Sequence, residues 1–256
     1  MSRIPFLLLS ASLSLAVPWT APQKGRSGEL PVALEVGERF RYSVSFSGLH
    51  VGSAEMALVG QDTLKGHPVW RAVLHLTGGF SLFGVDDSTV SWFDTTTFAS
   101  RRFVQKIREG RYHADRDFTI DPERMVYAKN GLPEVPSVAE PLDDVSFLYF
   151  VRTLKLEPGT VLTVNRYFRP EGNPVTIRVI RRERIQVPAG EFAALLIEPE
   201  ITTAGIFSRN GQALVWLSDD SSRTLLQLKS RLSFGSINLY LNQIISGPKT
   251  RTTTPP

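Results

Sequence analysis

Alternation of apolar and polar residues with a period of two is the sequence feature that most constrains this fold. In Arg39 to Ser47 every second residue is apolar, beginning with Phe40 and ending with Phe46. This spacing is typical of a strand that buries one face and exposes the other. The alternation returns in Ser53 to Val59, after a segment from Gly48 to Gly52 whose glycines favour a turn. The pattern therefore predicts a β-hairpin near the start of the body.

The same kind of run recurs through the rest of the chain. Turn-forming sequences separate the runs, among them Lys65 to Pro68, Pro188 to Gly190 and Asn210-Gly211. This spacing predicts a mainly β fold, a curved antiparallel sheet of about twelve strands that forms a barrel, half-barrel or sandwich. The further predicted strands are Val69 to Thr77, Asp87 to Phe93, Phe98 to Arg108, Arg111 to Ile120, Arg124 to Ala128, Val161 to Arg169, Pro174 to Val187, Glu191 to Pro199, Ala213 to Ser218, Thr224 to Ser233 and Ser236 to Gln243.

One stretch breaks this rhythm and predicts the only helix. It begins at Asp143 or Asp144, either of which is a suitable N-cap, and its end carries Arg152 and Lys155, whose positive charges suit a helix C-terminus. The predicted helix, Asp144 to Leu154, has apolar residues on more than one face. We expect it to pack in or across the mouth of the sheet.

The two ends of the chain differ from the body. Residues 1–16 have the pattern of a signal peptide, with Arg3 before an apolar run from Phe6 to Val17 and with small residues at Ser14 and Ala16. The alternative is an uncleaved N-terminal anchor. Residues 17–29 are predicted to be a flexible linker, 30–245 a single β-rich domain and 246–256 a disordered tail. No integral membrane segment is expected after signal cleavage.

Charge and cysteine content exclude several classes of protein. The sequence pI is near 9.5, but residues 30–245 hold 24 basic and 24 acidic residues. A neutral body argues against nucleic acid as a partner. The absence of cysteine excludes a lipidated N-terminal cysteine, thiolate catalysis and cysteine-zinc sites. Together with the signal peptide, these features predict a periplasmic or secreted protein.

Common catalytic and cofactor motifs are missing. We find no nucleophile elbow, phosphate-binding loop, zinc-protease motif or dinucleotide fingerprint, and the four histidines have no ligand spacing. No metal, cofactor or catalytic residue is therefore predicted. Three carboxylate pairs are expected at turns or caps, although a hydrolytic role remains a less favoured alternative. Basic clusters are expected on a wet strand face, the alternative being phosphate or lipopolysaccharide contact. The pairs are Asp86-Asp87, Asp143-Asp144 and Asp219-Asp220, and the clusters are Arg101-Arg102 and Arg181 to Arg184.

An aromatic, glycine-rich stretch is the most unusual local sequence. Gly78 to Gly84 combines three glycines with Phe80, Leu82 and Phe83. We expect a loop here. It is either a mobile apolar lip over a cavity, in which Phe80 and Phe83 contact a ligand, or a loop tucked onto the core.

Several spaced motifs resemble the bacterial exported family catalogued as domain of unknown function 3108. The resemblance implies a secreted or periplasmic β-rich domain and supplies no reaction. Its helix pattern falls on Asp143, Ser146, Tyr149 and Arg152, which form a stripe on a helix. This stripe is either a site for a ligand headgroup or a structural set of cap, back-bonded serine and arginine pair. The motifs are Gly37 to Val44, Gly48 to Gly52, Asp143 to Arg152, Val187 to Phe192 and Val215 to Asp220.

The sequence supports two main hypotheses for function. The first is an exported, noncatalytic binding protein of the cell envelope that holds a lipid or other amphiphile in the apolar interior of its sheet, gated by the helix. The second is an envelope assembly protein that contacts a protein partner through an edge strand or the aromatic loop. The lipid hypothesis rests on analogy with open-barrel carriers.

Overall fold

A single antiparallel sheet of fourteen strands forms the body of the protein. The computed structural model describes residues 34–80, 83–202, 213–232 and 235–245. The predicted curved antiparallel sheet is confirmed, with fourteen strands where about twelve were expected. The strands are β1 (Arg39–Phe46), β2 (Leu49–Leu64), β3 (His67–Phe80), β4 (Phe83–Asp94), β5 (Ser100–Glu109), β6 (Tyr112–Asp121), β7 (Val126–Lys129), β8 (Val135–Pro136), β9 (Val161–Val164), β10 (Val175–Val187), β11 (Gly190–Glu200), β12 (Leu214–Ser218), β13 (Leu225–Leu232) and β14 (Gly235–Ile245).

The strand order places the first and last strands side by side in the middle of the sheet. Strand β1 pairs with β14, while β2 to β8 continue on one side and β13 to β9 on the other. The sheet edges are therefore β8 and β9, and the sheet is not closed by strand pairing. Both edges are short, with two and four residues. Short edge strands offer little template for pairing with another chain.

Two irregular segments bridge the gap between the edges. Leu142 forms an isolated parallel bridge with Tyr167. The backbone N–H of Leu142 donates to the carbonyl of Arg166, and the N–H of Phe168 donates to the carbonyl of Leu142 over 2.9 Å. The side chain of Ser137 also donates to the carbonyl of Phe168 over 2.7 Å. These hydrogen bonds satisfy backbone groups that a barrel would otherwise pair between strands.

Helix α1 (Asp144–Phe150) lies against the concave face of the sheet, where five of its seven residues are buried. The α-helix was predicted to end at Leu154 but ends at Phe150, because Val151–Thr153 forms a 3-10 turn. A second 3-10 turn spans Pro170–Gly172. No helix in the described part of the chain is long and apolar enough to cross a membrane.

The core fills the space between the helix and the two halves of the sheet. Phe93 stacks on Phe98 with ring centroids 5.7 Å apart and lies 5.5 Å from the ring of Tyr149. Phe168 meets Phe118 edge to face at 5.2 Å, next to Phe103. Edge-to-face and offset aromatic pairs stabilise a core beyond their buried area. The helix end of the sheet is thus densely packed.

The predicted loop from Gly78 to Gly84 is wrong in part. Strand β3 continues to Phe80 and β4 starts at Phe83, and these two residues are paired in register. Residues 81–82, between these two strands, lie outside the described residues. Antiparallel pairing between β3 and β4 therefore continues further than the glycines suggested. Asp86-Asp87 also lies within strand β4 rather than at a turn.

Close approach of β2 and β3 requires glycine on both strands. Gly52 and Gly78 are paired in register. A Cβ on Gly78 would overlap the carbonyl oxygen of Val51 and lie 2.8 Å from the Cα of Gly52. Glycines at such positions allow a sheet to bend where side chains would prevent it.

Replacing Gly78 with alanine is expected to lower the free energy of unfolding by about 2 kcal/mol, because the added methyl group meets backbone atoms that cannot rotate away. Gly84→Ala is the matched control, since nothing lies within 4 Å of a Cβ built at Gly84. Urea unfolding followed by circular dichroism measures the difference between the two variants. Equal stabilities would contradict the close approach of β2 and β3.

Candidate functional site

The N-terminus of helix α1 is tied to the sheet by a buried polar network. Asp143 is the N-cap, and its Oδ1 accepts hydrogen bonds from the backbone N–H groups of Val145 and Ser146 over 2.8 and 2.9 Å. Its Oδ2 accepts from the hydroxyl of Ser91 on β4 over 2.5 Å. The hydroxyl of Ser100 on β5 accepts from the N–H of Asp143 over 2.9 Å. The helix start is therefore fixed to two strands at once.

Burial gives this aspartate an unusual titration. Asp143, Ser146, Ser91 and Ser100 are each fully buried. Burial raises the pKa of Asp143 to about 6, although hydrogen bonds from Ser91 and Ser146 favour the charged form. Loss of solvation thus outweighs the donors that surround the carboxylate.

The other end of the helical segment carries a buried ion pair. Arg152, which is 1% exposed, donates from Nη1 and Nη2 to the two carboxylate oxygens of Glu38 over 2.7 and 3.3 Å. Its Nε donates to the carbonyl of Ser222 over 3.2 Å. The guanidinium also lies 5.6 Å from the ring centroid of Phe40. Arg152 thereby joins the helix to the segment before β1 and to the β12–β13 turn.

Tyr149 completes this end of the helix. Its ring lies 5.4 Å from the guanidinium of Arg152, and its hydroxyl has no hydrogen-bond partner among the described residues. Burial raises the pKa of Tyr149 well above its usual value. The residue therefore acts as a neutral aromatic group in this position.

A third polar group lies at the helix start, around the half-buried Asp144. The hydroxyl of Tyr167 donates to Asp144 over 3.2 Å and accepts from the guanidinium of Arg169 over 2.9 Å. Burial raises the pKa of Asp144, while the charges of Arg169 and Arg116 oppose this shift. This group links the helix start to the segment between β9 and the second 3-10 turn.

The concave face becomes more polar with distance from the helix. Residues paired across antiparallel strands share one face of the sheet, so cross-strand rows can be followed from β3 to β6. The row beside the helix is Ala72, Ser91, Phe103 and Phe118, all of them buried. Three further rows are mostly half-buried and are called here the concave rows. They are Leu74, Thr89, Gln105 and Arg116; Leu76 paired with Asp87 and, on the next two strands, Ile107 paired with Ala114; and Gly78, Val85, Glu109 and Tyr112.

The charged members of the concave rows interact with one another. Burial, followed by the neighbouring carboxyl group of Asp87, raises the pKa of Glu109. Arg116 donates to the amide oxygen of Gln105 over 3.4 Å and to the hydroxyl of Tyr112 over 3.1 Å. Its charge also acts on Glu109. The carboxyl groups of Asp87 and Glu109 and the guanidinium of Arg116 therefore share the concave face of the sheet.

Apolar residues flank this polar patch on the same face. Leu74 and Leu76 pack against the core at the β3 side. Beyond Val85, the same cross-strand row continues through the paired glycines Gly78 and Gly52. It ends on two apolar residues, Val44 on β1 and Leu239 on β14. The concave face thus presents polar groups from β4 to β6 beside an apolar wall.

The structure unites some of the predicted site residues and separates others. Asp143, Ser146, Tyr149 and Arg152 all make contacts within the protein, and their role in ligand binding stays a prediction. The backbones of Phe80 and Phe83 lie at the end of the sheet opposite the helix, while their side chains are outside the described part of the structure. Sequence reasoning missed the concave rows, because the cross-strand register that aligns them cannot be derived from one strand.

The remaining predicted charged groups are paired locally. Asp219 contacts Arg182 and Arg223, and Asp220 accepts hydrogen bonds within the β12–β13 turn. Arg181 and Arg184 form exposed pairs with glutamates. The described residues contain no group of three or more histidines, cysteines, aspartates or glutamates that could hold a metal ion.

Comparison with known proteins gives a family and a fold. The sequence pattern of the family described as protein of unknown function (DUF3108) matches residues 41–242. No curated protein matches the chain.

Solved structures provide similar folds at low sequence identity. A β-barrel-like protein of domain of unknown function DUF1849 from Brucella abortus is 10% identical with a TM-score of 0.54, over 84% of this chain and 100% of that chain. An inferred lipoprotein from Parabacteroides distasonis is also 10% identical with a TM-score of 0.38, over 84% of this chain and 98% of that chain. The Brucella protein supports a β-barrel-like fold and nothing further.

Asp143 is expected to make stability depend on pH. Its pKa near 6 in the folded state exceeds the usual value near 3.8, so the folded state favours the protonated carboxyl. The resulting stabilisation is present below pH 4 and is lost as the pH rises through 6, by about 3 kcal/mol in total. Asp143→Asn keeps the cap but cannot titrate, so its stability should fall less over this interval.

Urea unfolding of both proteins between pH 4 and pH 7.5 measures this difference. Asp115→Asn is the control, because Asp115 is exposed and forms a surface pair with Arg108. Parallel pH profiles for the original protein and Asp143→Asn would contradict the assignment.

Proposed function

Because this chain belongs to the DUF3108 family, whose activity is described as unknown, we propose its function from the geometry of its own sheet. The protein is an exported, noncatalytic binding protein that holds an amphiphile on the concave rows. The observation that carries this proposal is the pairing of an apolar wall with a half-buried polar patch on one concave face. Ligand sites are mostly apolar with a few placed polar groups.

The distribution of burial supports this location. The helix end of the concave face is filled by aromatic side chains and by the Asp143 network, so it leaves little room for a ligand. In the concave rows, Thr89, Asp87, Gln105 and Arg116 remain partly accessible. A ligand that covered them would bury the flanking leucines further and would gain about 25 cal/mol for each Å² of apolar surface removed from water.

The sheet edges support the alternative of a protein partner less strongly. Strand β8 contains Pro136, which cannot donate a backbone hydrogen bond, and β9 offers only Val161–Val164. Val161 is the most exposed apolar residue on this edge, at 58%. An edge of this length gives few main-chain hydrogen bonds to an added strand.

Export is the second part of the proposal. It is supported by the apolar run Phe6 to Val17 that follows Arg3. When the full chain is produced in a Gram-negative host, we expect the soluble periplasmic fraction to contain a protein that begins at Val17. Intact-mass measurement identifies this species, and Leu8→Arg should leave the precursor uncleaved. A full-length chain that stays in the membrane fraction would support the anchor instead.

Ligand binding is tested on the purified exported protein. Native mass spectrometry is expected to detect a copurifying amphiphile, and a phospholipid with a fluorescent dye on its acyl chain is expected to bind. Thr89→Trp, which fills the concave rows, should weaken binding of the dye at least about tenfold. Ser88→Trp is the matched control, because Ser88 is the next residue of β4 and faces the other side of the sheet.

Thermal unfolding of both variants shows that they are folded. Absence of any copurifying amphiphile, together with no binding of the fluorescent phospholipid, would overturn the proposal. Equal loss of binding in Thr89→Trp and Ser88→Trp would place the ligand elsewhere and would also count against it.

A further inference from the structure

The charged groups of the concave rows indicate which headgroup the amphiphile carries, an inference that rests on the proposed function. Asp87, Glu109 and Arg116 project from three neighbouring strands onto the same half-buried face. Charged groups that lose water without full compensation are costly. Their placement on the concave side therefore calls for a partner of matching charge.

Asp87 and Glu109 form the acidic side of this arrangement. Both side chains lie on the inner face of neighbouring strands, and burial together with the charge of Asp87 raises the pKa of Glu109. Asp87 is also held in place by the backbone N–H of Arg108, which donates to its Oδ1 over 2.8 Å. A cation with N–H donors could bind both carboxyl groups and compensate their charge. This chemistry suits a primary ammonium, which has three donors.

Arg116 forms the basic side. The backbone of Arg116 lies two rows nearer to the helix than that of Glu109. Its side chain extends toward Glu109, because Nη2 donates to the hydroxyl of Tyr112, the residue paired with Glu109. The guanidinium is therefore drawn along β6 toward the acidic pair. Its two side-chain hydrogen-bond partners, Gln105 and Tyr112, are neutral, while its charge also acts on the carboxyl groups of Asp144 and Glu109. An arginine in this setting suits a phosphate oxygen.

We infer that the concave rows select a zwitterionic headgroup that combines a primary ammonium with a phosphodiester. The ammonium binds the carboxyl groups of Asp87 and Glu109, and the phosphodiester binds the guanidinium of Arg116. A quaternary ammonium is a weaker ligand because it has no N–H donor. An anionic headgroup without an ammonium leaves the carboxyl pair unmatched.

Short-chain phospholipids that stay monomeric test this selection by isothermal titration calorimetry. Dihexanoyl phosphatidylethanolamine is expected to bind the exported protein about tenfold more tightly than dihexanoyl phosphatidylcholine or dihexanoyl phosphatidylglycerol, since a charge-assisted hydrogen bond corresponds to about this factor. Glu109→Gln and Asp87→Asn should remove this preference. Arg116→Gln should weaken binding of all three lipids.

Asp86→Asn is the matched control for Asp87→Asn. The two aspartates are adjacent on β4, but Asp86 lies on the opposite face, where it contacts His75 over 2.7 Å. This variant should keep the preference for the ethanolamine lipid. A preference that survives Glu109→Gln and Asp87→Asn in folded protein would overturn the assignment of the acidic pair.

The failure of this inference differs from failure of the proposed function. If all three lipids bind equally and Thr89→Trp blocks them, the headgroup inference is wrong and amphiphile binding stands. If none of the lipids binds and no amphiphile copurifies, both are wrong. Tighter binding of phosphatidylglycerol than of phosphatidylethanolamine would also overturn the inference, because it would show that Arg116 alone determines the charge preference.

Discussion

The buried polar contacts at the two ends of helix α1 are the constraint on which the rest of the fold depends. Asp143 binds strands β4 and β5 through Ser91 and Ser100, while Arg152 binds Glu38 and the β12–β13 turn. Breaking such a buried contact costs about 3 kcal/mol or more, because the remaining partner is left without compensation. Both ends can be satisfied together in only one orientation of the helix. The helix therefore holds the two halves of an unclosed sheet in a defined relation.

This anchorage also determines where the interior can accept a ligand. Polar groups near the helix are saturated by each other, and aromatic side chains fill the remaining space. Farther along the same strands, the rows that contain Gln105 and Glu109 keep partial exposure. One concave face thus has a tightly packed core at the helix end and a partly exposed surface at the other end. The glycine pair at Gly52 and Gly78 lets the sheet bend between the concave rows and the apolar wall of β1 and β14.

Local patterns predicted the elements of this fold, and long-range pairing determined its site. Alternation identified β1 and β2, and the capping residue Asp143 identified the start of the helix. The partner of Arg152 is Glu38, 114 residues away, and no local signal links them. The stretch from Gly78 to Gly84 was misread because its glycines favour turns, whereas strand pairing extends through Phe80 and Phe83. Likewise, Asp87 could not be matched with Glu109 until the β4–β5 register was known.

The arrangement of charges separates structural from functional residues. On the outer face of β5 and β6, Arg102 pairs with Asp117 and Arg108 with Asp115, each over 2.7 Å. Exposed pairs of this kind cost little and contribute little, and they make the body neutral without affecting its interior. The carboxyl groups of the concave rows are different, because they lie half-buried on the inner face, where burial and the neighbouring Asp87 raise the pKa of Glu109. A sheet that only needed to fold would gain stability from apolar residues at these positions, so their presence is best explained by a ligand that supplies the opposite charge.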